Sequence, residues 1–154
     1  MKRQLAMALP LCLSMGCATT EASSGPPAGP GAPAAAPSSG GTTLESAEPV
    51  SRGQTVEGVV IDSTPRYYVI ELSAAETLQL GFYTQVDKGT ANATLAVLDP
   101  MGGKLKEQMV TVGSTGDWDV NQIKYTVQGA GKHLIRAACY KCLDKTVRYR
   151  IAVQ

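Results

Sequence analysis

Cysteine is the residue type whose spacing in this sequence most clearly indicates a chemical role. Two of the four cysteines lie close together near the C-terminus. Cys139 and Cys142 have the spacing of small disulfides, redox pairs and half zinc sites. A redox pair needs a helix N-terminus, whereas these residues lie in a predicted hairpin turn between the last two strands. A zinc site would need further ligands, and His133 is the only histidine. Because exported proteins favour disulfides, we expect a disulfide that fixes this turn, with a redox pair or a metal site as alternatives.

The N-terminus has the pattern of a secretory signal. Lys2 and Arg3 precede the apolar run 5–13, which is too short to span a bilayer as a helix. Small residues follow this run, so we expect residues 1–16 to be a signal peptide that is removed. Cys12 lies inside the signal and leaves with it. Cys17 then has no cysteine partner, since Cys139 and Cys142 are expected to pair.

Cys17 ends the segment Leu13-Ser-Met-Gly-Cys17. This segment resembles the end of a bacterial lipoprotein signal, in which an apolar residue and small residues precede the cysteine that receives lipid. Leu13 lies four positions before the cysteine, where the family has three. The resemblance implies lipidation of Cys17, with palmitate among the acyl chains, and durable attachment to the outer membrane. Ordinary signal cleavage stays open, because Ser14 and Gly16 satisfy its small-x-small rule.

Residues 18–49 consist mainly of Ala, Gly, Pro, Ser and Thr. Such a segment has too little apolar surface to offset the entropy cost of ordering it. We therefore expect residues 17–49 to comprise the lipidated cysteine and a disordered tether, and residues 50–154 to form the folded domain.

Charge argues against a nucleic-acid partner. Without residues 1–16 the chain has twelve basic and thirteen acidic residues, and they are interspersed along it. Nucleic-acid-binding proteins and polybasic membrane patches instead cluster Lys and Arg.

Few residues are candidates for catalysis or metal binding. His133 lies on a predicted strand, where we expect a surface or half-buried position, and no nucleophile motif accompanies it. The segment 117–121 begins like a calcium loop, but Gln122 stands where the loop glycine belongs. We expect no catalytic residue, no metal and no cofactor. Trp118 in this loop is a candidate contact residue if it is exposed.

After residue 50 the sequence alternates between apolar and polar residues, with turn residues between the runs. The pattern predicts eight strands, at 55–61, 66–73, 77–84, 93–98, 105–112, 122–128, 132–139 and 146–153. In the strand 93–98, residues 95–98 are apolar at consecutive positions, so we expect both faces of this strand to be covered. In the last strand, Val147, Tyr149 and Ile151 are expected to point inward, with Arg148 and Arg150 in solvent. Eight short strands predict an all-β, antiparallel two-sheet β-sandwich of jelly-roll type.

The order of motifs between residues 51 and 153 resembles the prepeptidase C-terminal (PPC-like) domains of secreted bacterial proteins. The matching segments are Gly58-Val-Val60, YYVIELSAAETLQLGF, ATLAVLDPMGG, GAGKHLIRA and the closing YRIAV. The resemblance implies a β-sandwich and a non-catalytic accessory or binding role.

Together these features predict a non-enzymatic outer-membrane lipoprotein. Its tethered β-sandwich is expected to bind other envelope proteins, as a subunit of a surface assembly for adhesion, motility or secretion. A secreted or periplasmic module that binds carbohydrate is the alternative, with polysaccharide as the partner. A metal- or redox-active Cys-x-x-Cys protein is the third hypothesis.

Overall fold

A computed structural model describes residues 39–62, 64–114 and 116–154. The predicted signal peptide, Cys17 and the first part of the predicted tether lie outside the described residues. The described chain contains nine strands and no helix, and therefore no helix that could cross a bilayer. The strands are β1 (Glu48–Pro49), β2 (Thr55–Val60), β3 (Arg66–Leu72), β4 (Thr77–Val86), β5 (Thr90–Leu98), β6 (Lys104–Gly113), β7 (Asp119–Thr126), β8 (Gly131–Tyr140) and β9 (Val147–Val153).

The strands form two sheets, with the orders β1-β3-β8-β5-β6 and β2-β9-β4-β7. Every pairing is antiparallel except that of β1 with β3. If β1 is set aside, the sheets have the strand orders β3-β8-β5-β6 and β2-β9-β4-β7, which are those of a jelly roll. Consecutive strands lie in different sheets except for β5 and β6, which pair with each other. The predicted β-sandwich and all eight predicted strands are confirmed.

The core lies between the sheets and follows from alternation along each strand. Successive side chains of a strand point to opposite faces, so every second residue reaches the core. In β9 these residues are Val147, Tyr149, Ile151 and Val153, each at most 1% exposed. Burying one such side chain stabilises the fold by ~1.5–3 kcal/mol. The prediction for this strand is confirmed.

Strand β5 is covered on both faces, as its apolar run predicted. Leu95 and Val97 face the main core, whereas Ala96 and Leu98 belong to a second apolar cluster. Leu44 and Ala47, which precede β2, pack against this second cluster together with Tyr67 and Val69 of β3.

The folded region therefore begins before residue 50, where the sequence analysis placed its boundary. Gly41 exchanges two backbone hydrogen bonds with Tyr67, and β1 pairs with β3. A turn stabilised by Thr43 and Ser46 joins these contacts. We call residues 39–49 the N-terminal strap. Composition did not predict it, because hydrogen bonds and the single large apolar residue Leu44 hold it in place.

Two tyrosines connect the sheets inside the core. The hydroxyl oxygens of Tyr68 and Tyr149 are 2.7 Å apart, and Tyr149 donates to the Ser39 carbonyl at 3.3 Å. The space for this pair depends on glycine. A Cβ added at Gly58 would lie 2.4 Å from the Tyr149 hydroxyl, and one at Gly40 would lie 2.9 Å from the Tyr68 ring.

Candidate functional site

The four-stranded sheet has an outer face that no other described strand covers. Because Val147 and Tyr149 point into the core, the intervening Arg148 and the next alternate residue, Arg150, lie on this outer face. Arg148 is exposed, and the strand register places it between Val59 of β2 and Gln85 of β4. The expected outward direction of both arginines is confirmed.

Trp118 lies on the same side of the sandwich and is held by charged neighbours. The guanidinium carbon of Arg150 is 5.2 Å from the centre of the indole ring, within the range of a cation–π contact. Arg150 also donates to Glu57 at 2.5 Å. The chain of contacts Glu57–Arg150–Trp118 therefore restricts the ring, which is half-buried.

An open cleft of about 430 Å³ borders this tryptophan, a size typical of ligand clefts. Its lining residues come from β2, β9, the loop before β7 and the start of the strap: Ser39, Glu57, Gly58, Val59, Trp118, Arg148 and Tyr149. Burial raises the pKa of Tyr149, and its hydrogen bond with Tyr68 raises it further. The phenol is therefore a neutral hydroxyl throughout the physiological pH range.

A second cleft of about 390 Å³ shares Arg148 with the first. It is lined by Gln85, Val86, Asp87, Ser114, Gly116 and Arg148. The Gln85 amide donates to the Gly116 carbonyl at 2.7 Å and so fixes one wall. The two clefts give the outer face one aromatic side chain and several hydrogen-bonding groups around Arg148. This arrangement suits ligand binding.

The predicted cysteine pair is present at disulfide distance. The Cα atoms of Cys139 and Cys142 are 5.9 Å apart, and Cys142 is fully buried. The prediction that the pair closes a hairpin between the last two strands is wrong. Strand β8 belongs to the five-stranded sheet and β9 to the four-stranded sheet, so this connection crosses between sheets. Lys141 and Leu143 adopt positive φ angles of 54° and 49° in this tight crossover.

His133 is buried at 6% exposure, where the sequence analysis expected a surface or half-buried position. Its Nδ1 lies 3.1 Å from the Gly131 carbonyl, and its ring contacts Tyr125. Across the part of the chain that the structure describes, no three His, Cys, Asp or Glu side chains are grouped as a metal site. In the calcium-like segment, Asp119 instead accepts a hydrogen bond from the Gly113 amide.

The site thus contains one residue that the sequence singled out, Trp118, and several that it did not. Arg148 and Arg150 were predicted only as solvent-facing residues, and Glu57 was not considered. Their signal in the sequence is weak, because cross-strand neighbours are distant along the chain. The alternation in YRIAV shows that the arginines point outward, but the pairing of β2 with β9 is needed to bring Glu57 to Arg150.

Comparison with protein-family profiles gives no match to this chain. Comparison with curated proteins also gives none. Solved structures do resemble it. The carbohydrate-binding module CBM4 superposes with a TM-score of 0.52 and 15% identity, over 68% of this chain and 74% of that one.

Two further structures have lower scores. A pre-peptidase C-terminal domain of a collagenase from Bacillus anthracis has a TM-score of 0.47 and 11% identity, over 70% of this chain and 93% of that one. TmCBM61 in complex with β-1,4-galactotriose has a TM-score of 0.46 and 18% identity, over 65% and 69%. At these identities the likeness concerns the fold. The chain is a β-sandwich similar in fold to the carbohydrate-binding module CBM4.

Proposed function

We propose that this protein is a non-catalytic glycan-binding β-sandwich whose ligand lies on the outer face of the four-stranded sheet. The observation that carries this proposal is the position of Trp118, which Arg150 and Glu57 hold at the edge of a 430 Å³ cleft. A restrained aromatic ring beside polar groups suits a sugar, because the C–H face of a sugar ring packs on the indole while its hydroxyls form hydrogen bonds. The similarity in fold to CBM4 agrees with a binding role.

The cleft supplies both kinds of contact that a sugar requires. Trp118 and Val59 offer apolar surface, and Val59 is 40% exposed. Arg148 and Glu57 offer charged hydrogen-bonding groups. A second cleft continues beyond Arg148, so the outer face has room for more than one sugar unit.

We also propose that the protein acts at the outer membrane, anchored by lipid on Cys17. The support is the lipoprotein-like segment that ends at Cys17, together with the pairing of Cys139 with Cys142, which removes these two cysteines as partners for Cys17. A binding module held there would meet surface polysaccharides directly.

Binding to another envelope protein is the second candidate function, and strand β6 favours it. Strand β6 is at the edge of the five-stranded sheet, and no other described strand pairs with its outer side. Leu105 and Met109 on this strand are 41% and 52% exposed. An edge strand of this kind accepts an added strand from a partner.

Affinity electrophoresis in gels that contain single polysaccharides tests the glycan proposal. We expect at least one polysaccharide to retard the wild-type protein, and Trp118→Ala to abolish the retardation. Tyr140→Ala is the matched control, because Tyr140 is 53% exposed and lies on the other sheet. Retardation that survives Trp118→Ala, or retardation by no polysaccharide, would contradict the proposal.

Fractionation of cells that express the full chain, labelled with palmitate, tests the anchor. We expect label in the membrane fraction for the wild type and unlabelled, non-sedimenting protein for Cys17→Ala. Membrane association that persists in Cys17→Ala would overturn the anchor without affecting the glycan site.

A further inference from the structure

Arg148 differs from Arg150 on the outer face because it forms no ion pair with any residue that the structure describes. The ion pairs of the described residues include Arg52–Glu76, Lys104–Glu107, Arg136–Glu107 and Arg150–Glu57. Arg150, two positions further along β9, is thus neutralised by Glu57. Arg148 is exposed and forms none of these pairs.

The position of Arg148 places this charge in the binding surface. It lines both clefts and is the residue that they share, so a ligand that extends from one cleft to the other would contact it. Val59 and Gln85, its neighbours across the sheet, are uncharged. Strand β9 lies between β2 and β4, and hydrogen bonds to both strands fix the backbone at Arg148.

The nearby carboxylates do not cancel this charge. Glu57 lines the first cleft but pairs with Arg150. Asp87 lines the second cleft, where its carboxylate accepts the Lys88 amide and forms no ion pair with Arg148. The first cleft therefore has an excess positive charge, located at Arg148, beside the ring of Trp118.

A guanidinium group binds a carboxylate through two parallel hydrogen bonds, and this geometry is specific as well as strong. A neutral sugar offers no group that uses it fully. We propose that the glycan bound on this face is acidic, and that a uronic-acid carboxylate binds Arg148 while a sugar ring packs on Trp118. This inference rests on the proposed glycan-binding function and specifies its ligand class.

Titration calorimetry with the full chain tests the inference, with oligogalacturonate and its carboxyl-reduced, neutral counterpart as probes. We expect the acidic oligomer to bind the wild type at least tenfold more tightly than the neutral one, because hydrogen bonds between a guanidinium and a carboxylate are stronger than those between neutral groups. Arg148→Gln should remove this preference, so that the acidic and the neutral oligomer bind with similar affinities. Arg148→Lys should retain part of it, because it keeps the charge without the planar two-point geometry.

Lys106→Gln is the control, because it removes one exposed positive charge from β6 of the other sheet. It should leave the affinities for both oligomers unchanged. A sulfated polymer, dextran sulfate, distinguishes a carboxylate site from a general anion site. If Arg148→Lys loses the same fraction of its affinity for dextran sulfate as for oligogalacturonate, the site does not recognise carboxylates specifically.

The outcomes separate this inference from the proposed function. If the wild type binds the neutral oligomer as tightly as the acidic one, or if Arg148→Gln keeps the acidic preference, the inference is wrong and the glycan site stands. If neither oligomer binds, and Trp118→Ala does not change the retardation by any polysaccharide, both the inference and the proposed glycan-binding function are wrong. Because Arg148 is exposed, Arg148→Gln should fold, and an unchanged melting temperature verifies this.

Discussion

The hydroxyl oxygens of Tyr68 and Tyr149 meet 2.7 Å apart in the core, although the two residues belong to different sheets. The Tyr149 hydroxyl also forms a hydrogen bond with the Ser39 carbonyl, at 3.3 Å. One continuous hydrogen-bond chain therefore links β3, β9 and the N-terminal strap through an otherwise apolar interior.

Tyr149→Phe should destabilise the protein by ~1–3 kcal/mol. The reason is that it removes the hydroxyl that hydrogen-bonds the buried Tyr68 hydroxyl and the Ser39 carbonyl. The double variant Tyr68→Phe/Tyr149→Phe should cost less than the sum of the single variants, since the residues share one hydrogen bond. Urea unfolding of the wild type and the three variants measures this. Strictly additive losses would show that the two hydroxyls are not coupled.

The same pair predicts a loss of stability in base. Burial raises the pKa of Tyr68 and of Tyr149 above the ordinary value, so the folded state keeps protons that the unfolded chain releases near pH 10. This contribution is fully present below pH 10 and is lost as the pH rises above it. Well above pH 10, the free energy of unfolding should fall by ~1 kcal/mol per pH unit for each tyrosine. Urea unfolding between pH 8 and about pH 11 should show a shallower fall in Tyr68→Phe/Tyr149→Phe.

Gly58→Ala should destabilise the fold by ~1–3 kcal/mol through overpacking, because the new methyl group would lie 2.4 Å from the Tyr149 hydroxyl. Gly129→Ala is the matched control, since no atom lies within 4 Å of a Cβ at that position. Its effect should stay within about 0.5 kcal/mol. Thermal melts of both variants provide the comparison, and equal losses would contradict a specific clash.

The strap should contribute to stability although it lies in a segment rich in small residues. A chain that begins at residue 50 lacks Leu44, strand β1 and the Ser39 carbonyl, and we expect it to be ~2–4 kcal/mol less stable than one that begins at residue 39. Urea unfolding of the two shortened chains tests this. Leu44→Ala in the full chain should give a smaller loss, and indistinguishable shortened chains would show that the strap does not stabilise the sandwich.

The disulfide should contribute modestly. The loop between Cys139 and Cys142 is short, and the chain-entropy relation gives ~2 kcal/mol for such a loop, compared with ~3 kcal/mol for fifteen residues. Replacing both residues with Ala, or reducing the wild type, should lower the free energy of unfolding by about this amount. A thiol count on the unfolded, unreduced protein verifies that the bond was present, and two free thiols at these positions would refute it.

Alternation was sufficient to predict most of the eight main strands, because they bury one face and point every second side chain into the core. It also predicted that β5 is covered on both sides. It could not predict what covers β5, since Leu44 is a single apolar residue in a run of small ones. The site was harder to predict: Trp118 stands out as the only tryptophan, whereas Glu57 and Arg150 are 93 residues apart and meet only through the β2–β9 pairing.

Ser39 lines the cleft beside Trp118 and also accepts the hydrogen bond from Tyr149. Among the described residues, tension applied from the N-terminal side would reach Ser39 first. The strap would resist such a pull in sequence, through the Tyr149–Ser39 hydrogen bond, then the Gly41–Tyr67 hydrogen bonds and then β1. The first of these contacts, between Tyr149 and Ser39, joins two residues that line the cleft. Mechanical load on the chain and occupancy of the cleft would thus affect the same few atoms.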